Sequence, residues 1–226
     1  MSVTPGKIGE LLKSYMIQEV DKTSLSRTIP IVFAERVTEF AALLFIVTIG
    51  LKIIHVNVFL IVVSLFLFFI VLLLVLNKKM SELFVKKLHY FNLINKFVEP
   101  INLSLNNSRV LLQFKPFVLM FVLSIFIWLI EALGFYLIIF GYNELLAIMT
   151  SFFTYLFSVL IGSLAVIPAG LGITDGSISF MLMKEGVKNE VAVSVALLIR
   201  ISTLWFSLLI GTISLLKFRT ILKKID

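Results

Sequence analysis

Apolar positions in this chain run in long blocks and do not alternate with polar ones. Four blocks approach or exceed the roughly 20 residues that a membrane-spanning helix needs. They are about Ile29 to Ile54, Asn57 to Leu76, Phe117 to Phe140 and Glu190 to Leu216. Only a few residues join the first two, so they predict a helical hairpin. A further apolar segment, Leu145 to Ile167, ends at a cluster of breakers, Pro168, Gly170, Gly172 and Gly176, and the apolar stretch after it, Ser177 to Val187, is short. Proline removes a backbone donor and glycine permits dihedrals that other residues avoid, so this cluster predicts an interrupted helix. The pattern predicts an all-α, polytopic membrane protein with broken or re-entrant helices.

Polar positions give the chain an orientation. Asn77 to Pro116 carries Lys78, Lys79, Lys86, Lys87, Lys96, Arg109 and Lys115 against only Glu82 and Glu99. Leu83, Phe84, Leu88, Phe91 and Leu93 recur there as on an amphipathic surface helix. Basic loops stay on the cytoplasmic side, and the tail with Lys217, Arg219, Lys223 and Lys224 belongs there too. The Phe117 block then leaves the cytoplasm and the last block returns to it. The stretch from 145 to 187 must start and finish outside. A re-entrant hairpin with its tip at Pro168 to Gly176 satisfies this parity, and so does a full span followed by a short return.

The start of the chain carries a second break. Pro5-Gly-Lys-Ile-Gly-Glu10 parallels Pro168-Ala-Gly-Leu-Gly-Ile-Thr-Asp175: a proline, two glycines, then a carboxylate. Each break is followed by a short segment and by a span with an arginine, Arg36-Val-Thr-Glu-Phe and Arg200-Ile-Ser-Thr-Leu. The two proline-to-arginine separations differ by one residue, as do the two carboxylate-to-arginine separations. The Arg36 span leaves the cytoplasm and the Arg200 span returns, so the copies predict inverted repeats, an arrangement of many secondary transporters. Chance similarity between two Gly/Pro breaks is the competing explanation.

Composition agrees with this class: the 226 residues are 60% hydrophobic and 15% charged, against about a quarter charged in soluble domains. The net charge of +7 fits loops beside an anionic leaflet, with no need for nucleic acid. No cysteine is present, which excludes thiolate catalysis and thiolate metal sites. His55 and His89 are too few for a histidine metal cluster. No catalytic Ser-His-Asp set or phosphate-cradling loop is apparent, and residues 1 to 27 lack the apolar core of a cleavable signal. The expectation is a protein that is not an enzyme and needs no cofactor.

The chemistry falls to buried charges. A lone charge in hydrocarbon costs at least about 2.5–3.5 kcal/mol on insertion scales. Glu10 with Arg36, and Asp175 with Arg200, offset that cost if paired; alternatively each guanidinium grips a phosphate in two-pronged fashion. The bland alternative is that the four charges pair only to hold the helices together. Glu35 adjoins Arg36 and belongs either to the site or to the cytoplasmic interface. Glu131 has apolar neighbours one turn away on its own helix and is expected to face other helices. Trp128 and Trp205 read as packing or lipid-facing residues.

The run Ile167-Pro-Ala-Gly-Leu-Gly-Ile-Thr-Asp-Gly176, with Gly186-Val and Leu198-Ile-Arg200 after it, resembles the Pro-Gly-Gly-Leu-Gly…Glu-Gly motif of the lysylphosphatidylglycerol synthase/flippase transmembrane domain family. Thr4-Pro-Gly-Lys-Ile-Gly-Glu10 is similar to that family's first motif and Ala34-Glu35-Arg36 to the helix after it. The resemblance covers nearly the whole chain. It implies one flippase-like transmembrane domain over residues 1–226, placed in the cell membrane. Movement of a phospholipid or lipid-linked headgroup is implied, with anionic or aminoacylated lipids as partners. A scaffold or accessory subunit for a lipid-linked glycosyltransferase is the alternative, and a homo-oligomer is compatible with either. A transporter of small soluble ions or metabolites is a further rival. The resemblance does not imply synthase activity, since no aminoacyl-transfer domain accompanies it. Family members usually carry further spans before the first motif, so a short member or a late start is expected. The expected substrate-binding set is Gly6, Gly9, Glu10, Glu35, Arg36, Pro168, Gly170, Gly172, Asp175 and Arg200, with no metal ligand.

Overall fold

A computed structural model describes residues 25–54, 111–165 and 167–222, together with isolated positions at 14, 17 and 18 and between 59 and 83. Every regular element among them is helical, as the block pattern predicts. In order these are α1 (Leu25–Ile54), α2 (Phe114–Gly141), α3 (Ile148–Leu164), a short turn of 3-10 helix (Pro168–Gly170), α4 (Ile173–Lys184), α5 (Asn189–Arg200), a π-helical turn (Ile201–Trp205) and α6 (Phe206–Leu222). The second predicted span is represented by described positions between 59 and 73, all of them helical. The described residues form two compact units that divide inside α2, after Leu129.

In the first unit, α1 begins slightly earlier than its apolar block. Pro30 is its sixth residue, past the four N–H groups that a helix start leaves unpaired, so the proline forgoes a bond to the Ser26 carbonyl. Ala34 and Val37 pack with Leu112, and Phe33, Phe68, Leu111 and Phe117 close around them. Phenylalanine contacts extend this core: Phe40 meets Phe68 at 6.0 Å between ring centroids, and Phe45 meets Phe121 edge-on at 5.6 Å. The Trp128 indole donates to the Glu39 carbonyl oxygen at 3.1 Å. This tryptophan packs, as expected, and its N–H is satisfied.

The second unit is built on helices that are too short to cross a bilayer singly. At 1.5 Å per residue, the 17 residues of α3 reach about 25 Å and the 12 of α4 about 18 Å, against a hydrocarbon core of about 30 Å. Such lengths are compatible with both expectations, a re-entrant pair with its tip at the Pro/Gly break and a span followed by a short return. α3 is buried on nearly all sides, as a helix surrounded by protein should be. Phe135, Ile139, Leu156, Leu160, Ile178 and Leu182 are its fully buried neighbours and members. α4 ends in a left-handed Gly186 (φ 91°), with the Val187 N–H bonded to the Leu182 carbonyl at 3.0 Å. This closes the last turn and sends α5 back along α4. By contrast α2, and the continuous run from Asn189 to Ser214, are long and apolar enough to cross a membrane and bury little of themselves.

The break itself differs from its predicted form in one respect. It ends at Gly172, so Gly176 lies inside α4 and not in the interruption. The reason is local: Asp175 Oδ2 accepts the Gly172 N–H at 2.9 Å and starts the helix there. α3 and α4 meet where side chains vanish. A Cβ on Gly162 would stand 1.8 Å from Thr174 Oγ1, and one on Gly170 would stand 3.2 Å from the Gly162 backbone.

Substitution of Gly162 by alanine therefore forces α3 and α4 apart. We expect a loss of about 1–3 kcal/mol, read as a lower melting temperature in detergent. Gly134, whose Cβ would meet nothing within 4 Å, should accept alanine with no loss, since its helical backbone gains up to about 1 kcal/mol.

Candidate functional site

The arginine and the acid that the sequence places on different helices come together at the tip of the broken hairpin. Asp175 is the third residue of α4 and Arg200 the last of α5. α4 and α5 run back to back from the 185–188 turn with equal lengths, so both residues lie about 15 Å along the helices from that turn. Glu185, Lys188 and Glu190 make the turn polar.

Arg200 Nε donates to Asp175 Oδ1, and Arg200 Nη2 donates to the Gly170 carbonyl at 3.2 Å. The side chains are 15% and 23% exposed, so the pair is mostly but not wholly enclosed. The carboxylate is used on both oxygens, one by Arg200 and the other by the Gly172 N–H at the start of α4. The guanidinium is not used fully. It carries five N–H donors, and both Nη1 hydrogens and one on Nη2 have no protein acceptor among the described residues. Arg200 is thus held at one edge and open at the other. Asp175 positions it and is not a free acceptor.

Backbone shape makes this possible. Ala169 and Gly170 are both left-handed, with φ of 53° and 63°, and Gly172 follows at 81°. The turn of Pro168–Gly170 points the Gly170 carbonyl back at Arg200. Gly170 contributes its carbonyl to Arg200, Gly172 gives its N–H to Asp175, and Pro168 opens the turn. Ala169 stands where the family motif quoted above has glycine and pays the steric penalty of a Cβ in this region.

A second polar pair lies beside the first. The Tyr155 hydroxyl donates to Glu131 Oε2 at 2.9 Å, so the acid of α2 does face another helix. Tyr155 stacks on Phe135 at 5.2 Å. Tyr155 is the residue that the sequence reading missed. Its signal was a stripe of hydroxyls on α3, Ser151, Thr154, Tyr155 and Ser158, at helical spacing. All four are buried, and the Thr154 hydroxyl has no hydrogen-bond partner among the described residues.

In the first unit, Arg36 Nη1 pairs with Glu39 Oε2 at 2.6 Å, one turn along α1. Glu35 is half-buried beside it. Gly6, Gly9 and Glu10 lie outside the described residues, and with them the expected Glu10–Arg36 pair. Among the described residues no group of three or more His, Asp or Glu is placed to hold a metal ion.

Known proteins bear on this geometry. Residues 1–211 match the family described as the lysylphosphatidylglycerol synthase TM region, and the chain belongs to that family. A UPF0104 membrane protein of Methanocaldococcus jannaschii is 25% identical over 223 residues, covering 94% of this chain and 91% of its own length. A UPF0104 membrane protein of Methanothermobacter thermautotrophicus is 27% identical over 122 residues, 54% of this chain and 36% of the relative. One from Pyrococcus horikoshii is 30% identical over 99 residues, 44% of this chain and 30% of the relative. No solved structure matches. Family membership and the apolar helices together make this a membrane protein.

Two outcomes follow from the site. Asp175→Asn leaves the enclosed guanidinium without its counter-charge and should cost about 3–5 kcal/mol; a double-mutant cycle with Arg200→Met should recover most of that loss. Ala169→Gly removes the left-handed penalty and should raise stability by about 1–2 kcal/mol, measured as a higher unfolding midpoint.

Proposed function

We propose that this protein moves a phospholipid, or another lipid with a phosphate-bearing headgroup, between membrane leaflets, with Arg200 as the phosphate contact. One observation carries the reading: the Arg200 guanidinium, clamped at one edge by Asp175 and the Gly170 carbonyl, keeps three donors with no protein acceptor among the described residues. A membrane-buried arginine with spare donors is costly and suits a phosphate, which accepts such donors in pairs. Broken helices meeting near the midplane are where secondary transporters hold polar cargo. Arg36 would be the counterpart of Arg200 if the two breaks are inverted repeats, and Glu35 and Glu10 would belong to the same half-site. The 77–116 loop and the tail would face the cytoplasm, beside anionic lipids.

A scaffold or accessory subunit for a lipid-modifying enzyme is the other reading. Full engagement of Asp175 favours it, since a charge pair that only ties α4 to α5 has the same appearance.

The two readings part in liposomes that hold fluorescent phosphatidylglycerol, scored for the lipid reaching the outer leaflet. The transport reading expects movement by the intact protein and a loss of at least about tenfold in rate with Arg200→Ala, equivalent to about 1.4 kcal/mol. Arg200→Lys should retain part of the rate, as a point charge without the paired geometry. Unchanged movement in folded Arg200→Ala would sink the assignment of Arg200. Failure of the intact protein to move any lipid would turn the reading towards the scaffold.

A further inference from the structure

A wide helical turn follows Arg200 directly. The Ile201 N–H still reaches the Leu197 carbonyl in α-helical manner, whereas the Phe206 N–H reaches the Ile201 carbonyl five residues back. Arg200 and Phe206 on either side keep ordinary right-handed dihedrals, −67°/−40° and −62°/−45°. A π turn of this kind holds one residue more than an α-helix needs over the same length, and well under 1% of residues occupy one. Ile201-Ser-Thr-Leu-Trp205 contains no proline or glycine that would force it. Two hydroxyls serve it instead. Thr203 Oγ1 donates to the Ile199 carbonyl at 2.8 Å and Ser207 Oγ to the Thr203 carbonyl. Such back-bonding loosens and bends a helix.

The extra residue decides which faces the two flanks present. Before it, Ala192, Val195, Ala196 and Ile199 are buried, and Arg200 reaches Asp175. Within the turn Leu204 is buried. After it Leu208 is half-buried, and every other described position from Phe206 to Ser214 is exposed, Phe206, Leu209, Ile210 and Ile213 among them. Collapse of the wide turn to α geometry, with no residue removed, rotates α6 against α5 by about 100°. With α6 held by its apolar face in lipid, that rotation carries the guanidinium off Asp175 and the Gly170 carbonyl. The reverse step restores the clamp.

We propose that the π turn Ile201–Trp205 is a rotary hinge that couples the grip of Arg200 on Asp175 to the orientation of α6. Its trigger, a phosphate oxygen on the open edge of the guanidinium, rests on the lipid-transport reading; its geometry does not. Phosphate draws the guanidinium towards the open edge, weakens the hold on Asp175 and favours the collapsed turn.

The chain has no cysteine, so a spin-label pair can be introduced cleanly at Val193→Cys and Leu209→Cys, both exposed positions on either side of the turn. Label distances are measured in nanodiscs of phosphatidylcholine with and without phosphatidylglycerol. The hinge expects two resolved distances whose ratio shifts with phosphatidylglycerol. Deletion of Ser202 removes the extra residue and leaves a regular helix with both flanks in place. That variant should show one distance in either lipid, melt no lower than the intact chain and lose lipid movement. One unchanging distance in the intact chain overturns the hinge, and so does lipid movement at the intact rate by the deletion variant. Two distances in a ratio indifferent to phosphatidylglycerol overturn the phosphate trigger. If the deletion variant does not fold, the distances in the intact chain decide alone. Two lipid-sensitive distances with no lipid movement by the intact chain support the hinge and overturn the transport reading instead.

Discussion

The second unit depends on how one carboxylate divides its two oxygens. Asp175 gives one to the Gly172 N–H, which sets where α4 begins, and the other to Arg200, which ties the tip of the hairpin to α5. A helix start has unpaired N–H groups and a partial positive charge, so an acid at its third position is favoured there before any partner arrives. The arginine then meets an acid already fixed in place. Both oxygens of the acid are engaged, whereas the guanidinium stays open at one edge.

Close approach of backbone makes the rest of the geometry. Thr174 sits against Gly162 and Gly170, and no larger residue fits at either glycine without displacement. The break can therefore fold back on α3 and aim the Gly170 carbonyl at Arg200. The left-handed run at Ala169 and Gly170 is the cost of that aim.

Enclosure gives these contacts their weight. Exposed ion pairs are worth little, but Arg200 and Asp175 are only 15% and 23% exposed, and an enclosed charge that loses its partner is costly. Tyr155 and Glu131 add a second hydrogen-bonded pair beside the first. Polar side chains in this unit thus collect near the tip and along one stripe of α3, while α2 and α6 show apolar surface outward.

Much of this was legible in the residues. Long apolar blocks determined an all-helical membrane protein because a lipid-exposed backbone must satisfy its own hydrogen bonds, and only helices do so within one segment. The Pro/Gly cluster located the break, and charge cost alone marked Asp175 and Arg200 as partners worth testing, since neither is tolerated singly in lipid. Local composition could not say which edge of Arg200 stays open, because that depends on the Gly170 carbonyl, placed by a three-way contact with Gly162 and Thr174. Nor could it find Tyr155, whose partner Glu131 lies on another helix. The wide turn after Arg200 was equally silent, having no proline or glycine to announce it. Periodicity and solvation cost are properties of a segment and were determined by the sequence itself. Contacts between residues far apart in the chain, and the helix register that those contacts select, were decided only by the tertiary structure.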